Sequence, residues 1–162
     1  MQADELPQAN AETCQLSLRI RHPSMDPAEI SRALKMEAAH AFRAGARRAG
    51  SGGKATTYGE SYWLGVLPSL ASLAALPLPG WPELARRQAA AASKSLSWAL
   101  VVSAARFCSL HGELLRRIRS EGGEVALLVT IDAEVGGLTL APEASRVFGE
   151  LGIAIELEIA SE

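Results

Sequence analysis

Four basic side chains, Arg43, Arg47, Arg48 and Lys54, stand in and beside the glycine-rich run "GARRAGSGGKA". Such a run raises the question of phosphate binding. A phosphate loop needs GxxxxGK[ST], so that backbone N–H groups wrap the phosphates while the lysine and a hydroxyl complete the site. Here Gly53-Lys54 is followed by Ala55, Arg48 occupies the place of the first glycine, and no buried strand leads in. The run reads as a loop without that chemistry. Charge clusters in loops are usually just solvated; the alternative reading is a shallow basic patch, in which Arg43, Arg47 and Arg48 are the candidate binding residues.

The remaining reactive types are scattered. His22, His40 and His111 show no HxH or HExxH spacing, and Cys14 and Cys108 show no CxxC pattern, so no metal site is expected. No GxSxG is present and neither cysteine has a nearby histidine in a nucleophile motif, so no catalytic residue is assigned and no cofactor is expected. Both cysteines fall in apolar patterns and read as buried thiols. Glu60, flanked by Tyr58, Tyr62 and Trp63, is the carboxylate best placed for binding or acid–base work. Tyr62 and Trp63 join the candidate binding residues on condition that they are exposed, because arginine and aromatic side chains dominate binding hot spots.

The elements that must position these residues follow from periodicity. "CQLSLRIR" (14–21) alternates Leu16, Leu18 and Ile20 with polar residues, the period of a half-buried strand. Asp26, Pro27 and Glu29 then start a helix in the manner of a capping box, and it stops near Met36. A second strand is predicted over Thr57 to Leu67, loosened by Gly59 and Gly65. Leu96, Leu100, Ala104, Phe107, Leu110, Leu114 and Ile118 mark one face of a long helix with a break near Gly112 and an end at Gly122-Gly123. "EVALLVTID" (124–132) is apolar on both faces, as in a central strand. Gly136-Gly137 makes a turn, "APEASRVFGELG" (141–152) is a short helix, and "IAIELEIA" (153–160) is a one-faced strand. This order predicts an α+β, two-layer sandwich: a mostly antiparallel sheet of four strands or slightly more, with helices on one face. If the first and last strands were neighbours, Arg19 and Arg21 would meet Glu156 and Glu158 on the wet surface.

A chain of 162 residues, 48% hydrophobic, suits one domain with a sizeable core. Residues 1–12 read as a disordered leader, 13–160 as the domain, and 68–93 as a Pro/Ala-rich insertion within it. The uncharged stretch 61–82 is interrupted by Pro68, Pro77, Pro79 and Pro82, which argues against a membrane span, and the acidic beginning "MQADELPQANAE" does not resemble a signal peptide. A cytoplasmic protein is expected. The net charge of −2 argues against a dedicated nucleic-acid binder. The charges are nonetheless divided, with 11 Lys/Arg against 3 Asp/Glu in residues 41–120, and 1 against 9 from 121 onward.

The opening strand with "MDPAEISRALKMEAAHAFRAGARR", the strand "YWLGVL", "LLRRIRSEGGEVALLVTI" and the closing "LAPEASRVFGELGIAIELEI" together resemble a bacterial family designated domain of unknown function 4279. The resemblance runs from Cys14 to Ile159, and the segment 68–93 departs from it. It implies a compact α+β domain and, by analogy, an accessory or immunity-like protein, with no activity to transfer. The expectation is a non-enzymatic protein acting through protein–protein interaction, compatible with homodimerisation. The alternatives are a small-molecule-binding regulatory domain with a pocket between sheet and helices or under the Pro-rich segment, and an enzyme of unrecognised type. A cleft joining Glu60 to a histidine would favour the last.

Overall fold

A computed structural model describes residues 14–48, 56–68, 96–132 and 140–160. The leader, Gly53-Lys54, nearly all of the Pro/Ala-rich segment and the Gly136-Gly137 turn lie outside the described residues, as do the side chains of Cys14, Leu96 and Leu100.

Alternation of apolar and polar residues builds β1 (Cys14–His22), which ends where His22 turns the chain. The buried His22 Nδ1 accepts the backbone N–H groups of Ser24 at 3.1 Å and Met25 at 2.7 Å. Nε2 therefore carries the ring hydrogen, and it lies 3.3 Å from the Glu121 carboxylate. The helix α1 (Pro27–Leu34) follows, with Asp26 Oδ1 accepting the Ala28 N–H at 2.9 Å and Lys35 closing it in the left-handed conformation. Only half of the expected capping box forms. Glu29 points away from the cap and pairs with Arg117, joining this helix to a later one.

The expected single strand over residues 57–67 is replaced by a more elaborate path. After α1 come β2 (His40–Phe42) and β3 (Arg47–Arg48), then β4 (Thr56–Thr57) and β5 (Ser61–Val66). β2 pairs with β5 and β3 with β4, both antiparallel. The residues around Gly53-Lys54 are thus flanked by paired strands, and the helix that a phosphate loop would open is a strand instead.

The long helix divides where expected, into α2 (Leu96–Leu110) and α3 (Gly112–Ser120), joined at His111. β6 (Glu124–Asp132), α4 (Pro142–Leu151) and β7 (Ala154–Ala160) complete the described chain. The main sheet runs β2-β5-β1-β6-β7, antiparallel throughout except for the β6–β7 pair, whose strands are parallel and joined through α4. Its inner face carries Leu16, Leu18, Ile20, Trp63, Val125, Leu127, Val129 and Ile131 against Ile30, Leu34, Val101, Ala105, Cys108, Leu115, Ile118 and Phe148 of the helices. The expected α+β sandwich is present, with five strands in the main sheet and four described helices. No described helix is long and apolar enough to cross a membrane.

β1 and β7 are not neighbours, because β6 lies between them. Arg19 nevertheless reaches Glu156, donating through both terminal nitrogens, one of them at 2.8 Å to Oε2. Arg21 goes the other way, with its Nε 3.8 Å from Glu60.

Candidate functional site

The two strand pairs β2–β5 and β3–β4 are successive parts of one hairpin arm bent in the middle. The bend follows from a turn at residues 43–46, where the Ala46 N–H donates to the Arg43 carbonyl at 3.0 Å and Gly45 takes φ +79°. A side chain is strained at such a φ, which suits glycine. Pairing resumes beyond the turn, with Gly45 N–H on the Tyr58 carbonyl at 2.8 Å and Tyr58 N–H on the Ala46 carbonyl at 3.1 Å. Ser61, fully buried, holds the corner by accepting the Ala44 N–H on its Oγ at 3.0 Å.

The bend brings together aromatic residues that are far apart in sequence. Phe42 stands between Tyr58, stacked at 3.8 Å and 16°, and Tyr62, stacked at 5.0 Å and 11°. His40 meets Phe42 and Tyr62 edge-on, at 5.9 Å and 5.8 Å. Each such pair is worth about 0.5–1.5 kcal/mol beyond burial of area, so the stack holds the arm to the sheet. Beside it lies an open cleft of about 380 Å³ lined by His40, Phe42, Arg48, Thr57, Tyr58, Gly59 and Glu60.

Of the candidate binding residues, Arg43, Arg47 and Arg48 are all exposed on this arm. Arg43 lies 3.3 Å from Asp26, and Arg48 enters the cleft. Lys54, the fourth cation of the patch, lies outside the described residues. Tyr62 is half-buried at the end of the ring stack. Trp63 does not meet the condition of exposure. The alternation of β5 turns it inward, it is fully buried, and its Nε1 donates to Ser31 Oγ of α1 at 2.9 Å. It is a core residue, and is removed from the candidate surface.

Sequence reasoning missed His40, Phe42 and Tyr58 as site residues. "HAF" does place an imidazole and a ring on one side of Ala41, but three residues are too short to display a strand period. Glu60 shares the cleft with His40, so the juxtaposition that would favour an enzyme is present in outline. Glu60 is half exposed and lies against Arg21, which suits it to pairing with a cation or a hydrogen-bond donor.

A second cleft, of about 280 Å³, opens on the same side of the sheet between Arg19, Arg119, Glu124, Val125, Ala126, Ala154 and Glu156. Its charges are largely spent on the protein itself. Arg19 holds Glu156, and Arg119 Nη1 donates to the Gly152 carbonyl at 2.7 Å. Among the described residues no three His, Cys, Asp or Glu side chains converge in a way that would hold a metal ion. The Cys108 thiol is buried in α2, and burial pushes its pKa up to about 12, so it is neither a ready nucleophile nor a ready ligand.

In comparisons with known proteins, the chain matches no family model, no curated protein and no solved structure.

Proposed function

We propose that the chain is a non-enzymatic binding protein of the cytoplasm, of accessory or immunity-like type, that docks a partner protein on the bent arm. The observation that carries this reading is the juxtaposition of the Tyr58–Phe42–Tyr62 stack with the exposed guanidinium groups of Arg47 and Arg48. Rigid rings supply contact area at little entropic cost, and arginines supply directed donors beside them, the two features that concentrate binding energy. The buried Cys108 thiol suits a reducing compartment.

The test is co-purification from the protein's own cells, with mass spectrometry of the intact complex. A retained partner protein that is lost on Tyr58→Ala and on Arg48→Glu supports the reading. Retention of that partner undiminished by both changes overturns the arm as its site.

A second reading rests on the 380 Å³ cleft itself, which is of a size to take a small molecule between His40, Arg48 and Glu60. A metabolite that raises the melting temperature of the wild-type protein, and not that of Arg48→Glu, would favour it over a protein partner.

A further inference from the structure

We infer that the arm edge of the sheet receives the opposite edge of a second copy of this chain, head to tail, with the acidic strand β7 of one copy laid against β2 of the next. This inference rests on the reading of the arm as a docking surface, and it names the occupant.

Two observations set up the pairing. β2 and β7 are the two ends of the main sheet, and among the described residues neither has a strand on its outer side. An open strand edge presents N–H and C=O groups that a further strand satisfies. β7 is also apolar where it needs cover. Ile155, nearer its start, is partly buried and packs against the core, but Leu157 is 49% and Ile159 is 63% exposed on the same face.

The charges then select which edge meets which. β7 carries on its other face Glu158 and the Arg19-paired Glu156, while the arm carries Arg47 and Arg48 beside Arg43, which faces Asp26. Pairing β7 with a second β7 about a two-fold axis centred on Glu156, Leu157 or Glu158 would place glutamates opposite glutamates, which is destabilising. Pairing β2 with a second β2 would gather the arginines of two arms. Pairing β7 with β2 sets Glu158 on the face that carries His40, Phe42 and the Arg48 cleft, and sets Leu157 and Ile159 on the face of Ala41. Three of the arginines between residues 41 and 120 thus lie at the arm end of the sheet, and two of the glutamates after residue 121 lie at its β7 end.

Such a contact joins two different surfaces, so the second copy still offers a free β7 and assembly continues into a chain or a ring rather than stopping at a two-fold dimer. With only three residues in β2 the contact is small, and hence weak, concentration-dependent and sensitive to salt.

Sedimentation velocity on the full chain, over a range of concentrations at about 50 mM and about 500 mM salt, tests this. Species larger than a single chain are expected at low salt, shrinking to the single chain at high salt. Glu158→Arg alone and the double change Arg47→Glu/Arg48→Glu alone should each abolish them. An equimolar mixture of the two variants should restore them, because each altered edge then meets a complementary one, and misfolded variants would not recover on mixing. A single chain at all concentrations, a salt-independent dimer, or failure of the mixture to assemble overturns the inference. Loss of a co-purified partner protein on Arg48→Glu, with the wild type remaining a single chain, would sink the self-association while leaving the arm as a docking site.

Discussion

Arg19 and Glu156 form a two-pronged ion pair across an intervening strand, passing over Ala126. Arg19 stands opposite Ala126 on β6, and Ala126 stands opposite Ala154 on β7, so the row beside the arginine holds only methyl groups. Two strand spacings amount to roughly 9.6 Å, within the reach of an arginine when nothing bulky stands between. Ala126 is consequently buried on a face over which no helix of the described residues packs.

Glu156→Gln is expected to lower stability by about 1 kcal/mol, since the pair is partly exposed and ion pairs of this kind are worth little more. Ala126→Leu should cost as much or more, by obstructing the arginine, although it adds apolar surface. Thermal unfolding of the two single variants and the double variant checks this. If the double variant is destabilised by the full sum of the two singles, the obstruction account fails.

Gly65 gives Trp63 its place. A methyl group built at residue 65 would sit 2.3 Å from the indole Cη2 and 2.7 Å from Cζ2, so the ring lies across the position where the next inward side chain of β5 would stand. Gly65→Ala is expected to destabilise by about 1–3 kcal/mol through overpacking, in spite of alanine's better strand entropy. In the combination Gly65→Ala with Trp63→Phe the two costs should be less than additive. Chemical denaturation measures both, and unchanged stability in Gly65→Ala would refute the packing account.

His111 links α2 to α3 with its ring 4.6 Å from that of Phe107, and its pKa is lowered, first by burial and then by the nearby positive charge of Lys35. A histidine held below its ordinary value of about 6.5 takes up its proton more readily when unfolded, so stability rises with pH across that interval. The contribution is fully present above about pH 6.5 and is lost as pH falls through the depressed folded value. Melting temperature should therefore drop more between about pH 7 and pH 5 in the wild type than in His111→Gln. Parallel slopes in the two proteins would contradict it.

Cys108 should resist alkylation in the folded protein, because it is fully buried and its thiol is displaced to about 12. In a Cys14→Ser background, labelling should proceed only at the rate at which the core opens and should accelerate in denaturant. Rapid modification in native buffer would mean that the packing around α2 is looser than described.

Tyr58→Ala should affect stability by only about 0.5–1.5 kcal/mol, because Tyr58 is the half-buried outer ring of a stack on the sheet face opposite the described helices. Trp63→Ala, one strand position beyond Tyr62 but facing inward, should cost about 3–5 kcal/mol. Comparing these two losses by denaturant unfolding distinguishes the surface rings from the core ring, and similar losses would contradict the assignment of faces.

The strands at either end of the chain were legible because their alternation runs for seven or more residues. The helix ends were legible because Asp26-Pro27 and Gly152 impose local geometry that no distant contact need supply. The arm was not legible. β2, β3 and β4 have three, two and two residues, too few to show a period, and they exist because each pairs with a strand more distant in the sequence. Tyr62 and Trp63 were equally good surface candidates by type. Only the phase of β5 against its neighbours sends one outward and the other into the core.

The sequence by itself determined which segments alternate, where two helices begin and end, that the chain builds an α+β sandwich, and that its positive and negative charges are divided, because each of these depends on residues within a few positions of one another. The order β2-β5-β1-β6-β7, the passage of Arg19 over Ala126 and the assembly of His40, Phe42, Arg48, Tyr58 and Glu60 around one cleft were decided only in the tertiary structure. Those relationships depend on which strands lie side by side, and strand neighbours are chosen by burial and pairing summed over the whole sheet rather than by the residues next to them in the chain.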